Sequence, residues 1–444
     1  MRLPQTPPQL VKPLADPERL MTVIEAAGAE AVRRDRYLHW NELRHREPPG
    51  DLSPEEWWLG LKFRRTAQQQ AVPLTDLQGV RFHFWLTPAM FEQLHDIDLK
   101  CGGAVEGPEQ VTNPDTRDRY LVSSLVEESI TSSQLEGAVV TRSVAKEMLR
   151  TGREPGDSGE RMILNNFLTM REISGWKERR LTPELVLEMH RMISRGTLAE
   201  PSREGVLRTA ADPVRIEDER TGEVVHLPPG AAELPARLQA LCDFANETRM
   251  EGYLHPVIRS VILHFWLAYD HPFVDGNGRT ARALFYWSML RHGFWLFEFI
   301  SISHQILLAP AKYYRAFLHT ETDGNDLNYF ILHQLGVMRR AIDELHGYLR
   351  RKSAELAEMK ALLDHRSGFN HRQLALLRHA LRHRGAAYTV ASHQNSHNIV
   401  PQTARTDLDR LVDRGILLKV RVGKAFRFIP VDDLAERLKN LPNP

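Results

Sequence analysis

Residues 257–293 constrain this chain more tightly than any other stretch. Val257, Ile258, Val261, Ile262, Phe265 and Trp266 recur at helical spacing and predict a strongly apolar helix. Ala283, Leu284, Trp287 and Leu290 predict a second, amphipathic helix, stopped at Gly293, a residue type suited to the position just past a helix end. Only the eight residues HPFVDGNG (271–278) separate them, so the chain turns tightly between two buried helices. Gly276 and Gly278 permit backbone angles closed to other residues and let their amides point outward. A glycine loop that opens a helix is an anion site, with several N–H donors and the positive end of the dipole. Arg279 and Arg282, three apart, share a helix face, and their forked guanidiniums suit phosphate. Asp275, a carboxylate beside a polyphosphate, is most simply explained as a Mg²⁺ ligand. His271 is a titratable base at the loop entrance, and Phe273 is an apolar anchor. Taken singly, Asp-Gly-Asn-Gly is a turn and two arginines are a solvated helix face. Base, acid, two glycines and two arginines within twelve residues resist that explanation. The chain has no GxxxxGK[ST], which disfavours ordinary P-loop chemistry.

The remainder reads as a mainly α protein built around this element. A length of 444 residues predicts about three domains. A 42% hydrophobic content is enough for real cores and excludes global disorder. Cys101 and Cys242 are the only cysteines, which excludes a disulfide scaffold and a four-thiolate zinc site and favours a reducing, cytoplasmic setting. The opening MRLPQTPPQLVKPLADP lacks the apolar stretch of a secretory signal. No run approaches ~18 apolar residues, so no membrane association is expected.

Residues 1–115 form a first, helical segment. Its prolines Pro4, Pro7, Pro8, Pro13 and Pro17 predict an extended arm. Ser53 followed by Pro54, Glu55 and Glu56 predicts a capped helix start, and Trp40, Trp57, Trp58 and Trp85 read as packing. Residues 116–349 are helical, with another capped helix from Thr182 toward Gly196. The helical period breaks between Ser202 and Pro229, where Pro213–Glu217 reads as a strand and Thr221-Gly222 as a turn, hence a hairpin flap. Helices resume at Ala231. Residues 350–369 predict a helical connector. In 370–444 the pattern is helix (Arg372–Arg382), helix (Thr389–Gln394) and helix (Thr403–Val412, ended by Gly415). Two strand-like runs, Leu417–Val422 and Ala425–Ile429, follow around Gly423-Lys424, which is the element order of a winged helix.

HPFVDGNGRTAR (271–282) resembles the active-site motif of Fic-domain proteins, HxFx[D/E]GNGRxxR, at every defined position. LTPELVLEMHRMI (181–193), the hairpin, HLPP (226–229) and HPVIRSVILHF (255–265) are similar to Fic core elements in their usual order, so the resemblance covers residues 117–349. It implies AMP transfer from ATP to a Tyr, Ser or Thr hydroxyl of a target protein. His271 would deprotonate that hydroxyl, and Asp275 would hold Mg²⁺ on the α- and β-phosphates. The amides of Gly276, Asn277 and Gly278 would cradle the phosphates, with Phe273 part of the same nucleotide loop. Arg279 would take the β-phosphate and Arg282 the γ-phosphate. Val214, Arg215 and Ile216 of the flap would pair with an extended target segment by strand addition. Tyr313 and Tyr314 lie where the family often places a nucleotide-side aromatic, with packing as the equal alternative. Family members often form homodimers, but no interface is specified here.

Upstream, Ser132-Ser-Gln-Leu-Glu136-Gly137 resembles the [S/T]xxxE[G/N] motif of self-inhibited Fic proteins. The resemblance implies that Glu136 pairs with Arg282 and withholds it from the γ-phosphate. An ordinary surface ion pair is one alternative. A base for the reverse, AMP-removing reaction is another.

Residues 371–444 hold 13 Lys and Arg against six Asp and Glu, a charge of +7. The whole chain is +1, so the first 370 residues carry −6. That balance excludes a chain-wide nucleic-acid coat but not a local DNA contact. Gln402, Thr403, Arg405 and Thr406 start a helix suited to a major groove, and Arg421, Lys424 and Arg427 on the hairpin are suited to phosphates. Protein docking is the alternative for this segment. A DNA-binding regulator whose Fic core senses nucleotide is the alternative for the whole chain. The intact His271 favours an enzyme, because a sensor needs no base.

Overall fold

A computed structural model describes residues 3–8, 17–34, 37–102, 114–218, 221–246, 253–364, 368–382, 385–397, 399–422 and 425–440. They form two compact units, Met1–Leu345 and His346–Pro444. The chain is mainly α-helical, with three two-stranded antiparallel sheets among the described residues. None of the described helices is long and apolar enough to cross a membrane.

The first unit opens with the helix Pro17–Arg34, so Pro17 starts a helix rather than continuing an extended arm. Proline is tolerated there because the first helical N–H has no partner to lose. Ser53 caps the helix Pro54–Thr66 in a full capping box with Glu56. Trp40, Trp57 and Trp58 pack with Val23, Leu43 and Leu61 in a local core. A hairpin absent from the sequence reading follows, β1 (Gln70–Thr75) with β2 (Arg81–Phe84). The Asp76 carboxylate closes its turn by accepting from the Gln78 and Val80 amides at 2.9 and 2.8 Å.

This opening region is tied to helices more than 200 residues later. The Trp85 amide donates to Asn328 Oδ1 at 3.0 Å, Arg65 donates to Tyr329 Oη at 2.9 Å, and Tyr37 donates to Asp326 at 2.6 Å. At this junction the His39 and His319 rings stack with centroids 4.2 Å apart. His39 Nδ1 accepts from the Asn41 amide, a bond that only the uncharged ring can make. Burial, with Arg65 and Lys62 nearby, pushes His39 down to about 3, and burial beside His39 pushes His319 down to about 3. Both folded values lie below the ordinary 6.5. The stability they confer is therefore complete above pH 6.5 and is lost as pH falls toward 3. Melting temperatures across pH 7.5 to 4.5 should fall, and His39→Phe should flatten the slope; a slope unchanged by that substitution would place the acid lability elsewhere.

The buried centre of this unit is the pair that the sequence marks out. Pro256–Asp270 and Asn277–Arg291 are helices whose residues are almost all buried. Pro114–Leu135, Ser158–Trp176 and Pro183–Ser194 surround them. Thr182 caps the last of these through the Leu185 amide. The flap is β3 (Ile216–Glu217) with β4 (Val224–His226), in the register Ile216↔His226 and Glu217↔Val224. The ladder is shorter than the Pro213–Glu217 strand that the sequence suggests, and Val214 and Arg215 precede it. Pro213 has no N–H to offer a ladder. Asp218 O takes the Thr221 and Gly222 amides, so the turn starts directly after Glu217. The last helix of this region, Asn328–Asp364, is continuous over 37 residues and absorbs most of the connector expected at 350–369.

The second unit holds the helices His371–Arg382, Val390–His397 and Pro401–Asp413, then β5 (Leu417–Val422) with β6 (Ala425–Pro430), then Leu434–Asn440. Leu376, Leu377, Leu408, Leu411, Ile416, Phe428 and Leu438 form its core. The buried Asp407 joins its helices, taking Arg372 Nε at 2.6 Å and Asn370 Nδ2 at 2.7 Å.

Candidate functional site

The loop 271–276 is built around one histidine that the sequence reading did not single out. His190, on Pro183–Ser194, stacks flat on Phe273 with centroids 3.7 Å apart. Its Nε2 donates to Asp275 O at 2.8 Å, and its Nδ1 accepts from the Gly205 amide at 3.0 Å. A neutral ring alone has one donor and one acceptor. Burial pushes His190 down to about 4, which supplies that form at neutral pH. Its position between Val186, Met189 and Ile193 on an apolar face was the available signal. Asn277 closes the loop from inside: its Oδ1 accepts from the Phe273 amide and its Nδ2 donates to Phe273 O, both at 2.9 Å. Phe273 is fully buried, so its place is the core beneath the loop.

Gly276 adopts φ +82 as the cap of the helix Asn277–Arg291. A side chain there would meet His190 Nε2 at 3.3 Å in addition to the strained backbone. His271 adopts φ +44, one of two non-glycine residues with positive φ among those described. Such strain persists only where the surroundings over-determine it. The His271 amide donates to Leu267 O, and its carbonyl accepts from Arg208 Nε at 2.8 Å. Arg208, also not anticipated, donates to Pro229 O at 2.5 Å and so joins the loop to the end of the flap. The flap's other tie is His226, whose Nε2 donates to Tyr269 O and whose Nδ1 faces Glu321 at 2.7 Å.

His271 is half-buried, and its Nδ1 lies 3.3 Å from Ala268 O. A carbonyl only accepts, so Nδ1 carries the proton and Nε2 keeps its lone pair. Burial pushes His271 down to about 4, so the ring is neutral and able to take a proton at physiological pH.

Arg279 and Arg282 are buried, as side chains of a helix face turned inward. Arg279 donates to Ile193 O at 3.3 Å, while its Nε and one terminal nitrogen have no hydrogen-bond partner. Burial pushes its guanidinium down against the opposing pull of Asp275 and Glu136. A buried cation with unused donors is costly unless an anion completes it. Asp275 is the exposed member of the group. One of its oxygens takes the Gly276 amide at 2.5 Å, and the other lies 3.8 Å from Arg279. Among the described residues no cluster of three or more metal-binding side chains forms.

The segment Ser132–Gly137 reaches this site. Arg282 Nε donates to Ser132 Oγ at 2.8 Å, and one terminal nitrogen donates to Ser132 O at 2.9 Å and Glu136 Oε1 at 2.8 Å. Burial alone would lower Arg282; Glu136, Tyr313 and Glu128 outweigh it and leave the guanidinium raised. The helix Pro114–Leu135 ends just before Glu136, and Gly137 at φ +91 turns the chain away. The carboxylate thereby covers the helix start: a Cβ on Gly278 would fall 2.1 Å from Glu136 Oε1.

Tyr313 is only 4% exposed, donates to or accepts from His264 Nε2 at 2.9 Å, and packs on Phe317 and Phe330. It is buried within electrostatic reach of Arg282, and Tyr314 beside it is 44% exposed. In the second unit Gln402, Arg405 and Thr406 lie on the exposed face of Pro401–Asp413, with Thr403 half-buried. Arg421 and Arg427 are exposed, while Lys424 lies outside the described residues.

Parts of this chain are similar to known proteins. The profile of the Fic/DOC family matches residues 180–289. Protein adenylyltransferase Fic of Drosophila willistoni is 29% identical over 170 residues, covering 36% of this chain and 31% of that protein. The Drosophila melanogaster protein of the same name is 28% identical over 170 residues, with the same coverage. The chain thus spans about a third of the length of the curated relatives it matches, 31% in both cases. A Fic family protein from Desulfovibrio desulfuricans has a similar structure, with a TM-score of 0.54 at 21% identity over 78% of this chain and 97% of that one. A Glu-to-Gly variant of a Fic-1 fragment from C. elegans gives 0.51 at 19% identity over 76% of this chain and 90% of that one. The histidine, the glycine loop and the two buried arginines therefore lie at the C-terminal end of the stretch, residues 180–289, that matches the Fic/DOC family model.

Proposed function

We propose that this chain is a protein adenylyltransferase that moves AMP from ATP to a hydroxyl of a target protein and is restrained by Glu136. The observation that carries the reading is the meeting of a neutral His271 with two buried guanidiniums at one glycine-capped helix start, two Arg279 nitrogens having no hydrogen-bond partner. The phosphates of ATP answer that set of donors. Arg279 takes the β-phosphate and Arg282 the γ-phosphate once Glu136 withdraws. The target hydroxyl loses its proton to His271 Nε2, its oxygen bonds to the α-phosphorus, and pyrophosphate leaves. Positioning and charge neutralisation supply most of the catalysis such a transfer needs. The exposed Asp275 carboxylate fits Mg²⁺, an ion that binds through one or two carboxylates and substrate phosphates and would neutralise phosphate charge. The loop-side flap edge, Val214 to Ile216, receives the target backbone. Incubation with labelled ATP and a cell lysate tests the reading: labelling that depends on His271 and rises when Glu136 is removed supports it. No labelling by either the wild type or the Glu136 variant would sink it.

We also propose that the second unit is a winged helix that contacts DNA. This reading rests on the exposed Gln402, Arg405, Thr406, Arg421 and Arg427 and the +7 charge of residues 371–444. A duplex should shift in a gel with this protein at low salt and lose the shift as salt rises. No shift at low salt would favour protein docking instead.

A further inference from the structure

Glu128 lies two turns upstream of Glu136 on the helix Pro114–Leu135, and no sequence motif marks it. It is 2% exposed. Its carboxylate takes Tyr286 Oη at 2.9 Å, Ser301 Oγ at 2.8 Å, the Ser303 amide at 3.1 Å and Ser303 Oγ at 2.5 Å. All of these partners are neutral. Burying a carboxylate that no cation contacts directly is expensive, even with Arg282 within electrostatic reach, and an apolar residue would pack there at lower cost. What the carboxylate adds is direction, because each of its bonds exists at one register of the helix only.

That register is the one the site requires. Glu128, Ser132 and Glu136 are spaced by four and share a face. They meet Tyr286, Arg282 and Gly278 respectively, residues that also step by four along Asn277–Arg291. The two helices therefore run antiparallel, joined at three successive levels. The last level, Glu136 above Gly278, has only a 24% exposed side chain beyond the end of its helix to hold it. The first level is buried and has four donors. A slip of one residue would carry Glu136 about 1.5 Å along the axis, enough to part it from Arg282.

We propose that Glu128 is the positioning residue of the brake: its four-donor socket sets the register that keeps Glu136 over the glycine loop. This inference rests on the reading of Glu136 as a brake, and the experiment separates the two. Glu128→Gln keeps the shape but puts an amide NH₂ where hydroxyls and an N–H must be accepted. Losing a bond to a buried carboxylate should raise the open population about tenfold. Hydrogen exchange of the amides of 129–137 should speed by about that factor, and AMP labelling should rise by a similar factor. The double variant Glu128→Gln/Glu136→Gly should label no more than Glu136→Gly alone. Ser303→Ala, which removes one hydroxyl donor at the buried start of the helix Ile302–Leu307, should move both readouts in the same direction by less, and decides the matter if Glu128→Gln does not fold. Unchanged exchange in 129–137 would overturn the proposal, as would a labelling gain that adds to that of Glu136→Gly. If Glu136→Gly itself gives no labelling, the adenylyltransferase reading fails, while the exchange rates still decide whether Glu128 sets the helix register.

Discussion

Glu136→Gly should raise AMP transfer and self-labelling by about ten- to a hundredfold. Glu136 makes a charge-assisted bond to Arg282, a class of contact with a net value of about 1.5–3 kcal/mol. It also fills the space in front of Gly278. ATP that binds against this carboxylate loses the guanidinium meant for its γ-phosphate and meets a negative charge at the helix start. Removing Glu136 releases both constraints at little structural cost, because the residue lies after the end of its helix and ahead of a glycine that already turns the chain. Incorporation of labelled AMP measures the effect. A rate equal to wild type would mean that the Glu136–Arg282 pair is an ordinary ion pair with no authority over the nucleotide.

His271→Ala should lower transfer by about 10²–10⁴, the range a positioned general base contributes. The effect should fall on turnover, with nucleotide binding nearly preserved, because the phosphate donors belong to Gly276–Arg282 and not to His271. It should also hold in the Glu136→Gly background, where the brake cannot mask it. Nucleotide affinity and labelling measured on the same protein separate these outcomes. Full labelling by the His271 variant would assign the proton to another group. Equal loss of binding and labelling would mean that the strained His271 backbone shapes the loop rather than its imidazole acting as base.

Much of the loop was legible because its determinants are local. Gly276 declares a left-handed position, the spacing of Arg279 and Arg282 declares a shared face, and the Ser53 and Thr182 caps declare helix starts through bonds that span three residues. The hairpin Gln70–Phe84 was not legible, since Pro73 within a six-residue strand hides the alternation that would reveal it. Tyr313 and Tyr314 are adjacent in sequence and were indistinguishable there. The helical turn sends one into the aromatic core and leaves the other at the surface.

The sequence by itself determined the loop, its glycines, its base and its two arginines, because chain sterics and helix periodicity act between near neighbours. Only the tertiary structure decided which groups surround them. Glu128 meets Ser303 across 175 residues and His190 meets Asp275 across 85, whereas the pairing of Glu136 with Arg282 across 146 was implied only by a motif resemblance. No local preference encodes such pairs. They exist because burying the apolar faces of the helices brings these polar side chains together, and each pays its desolvation only if the partner is there.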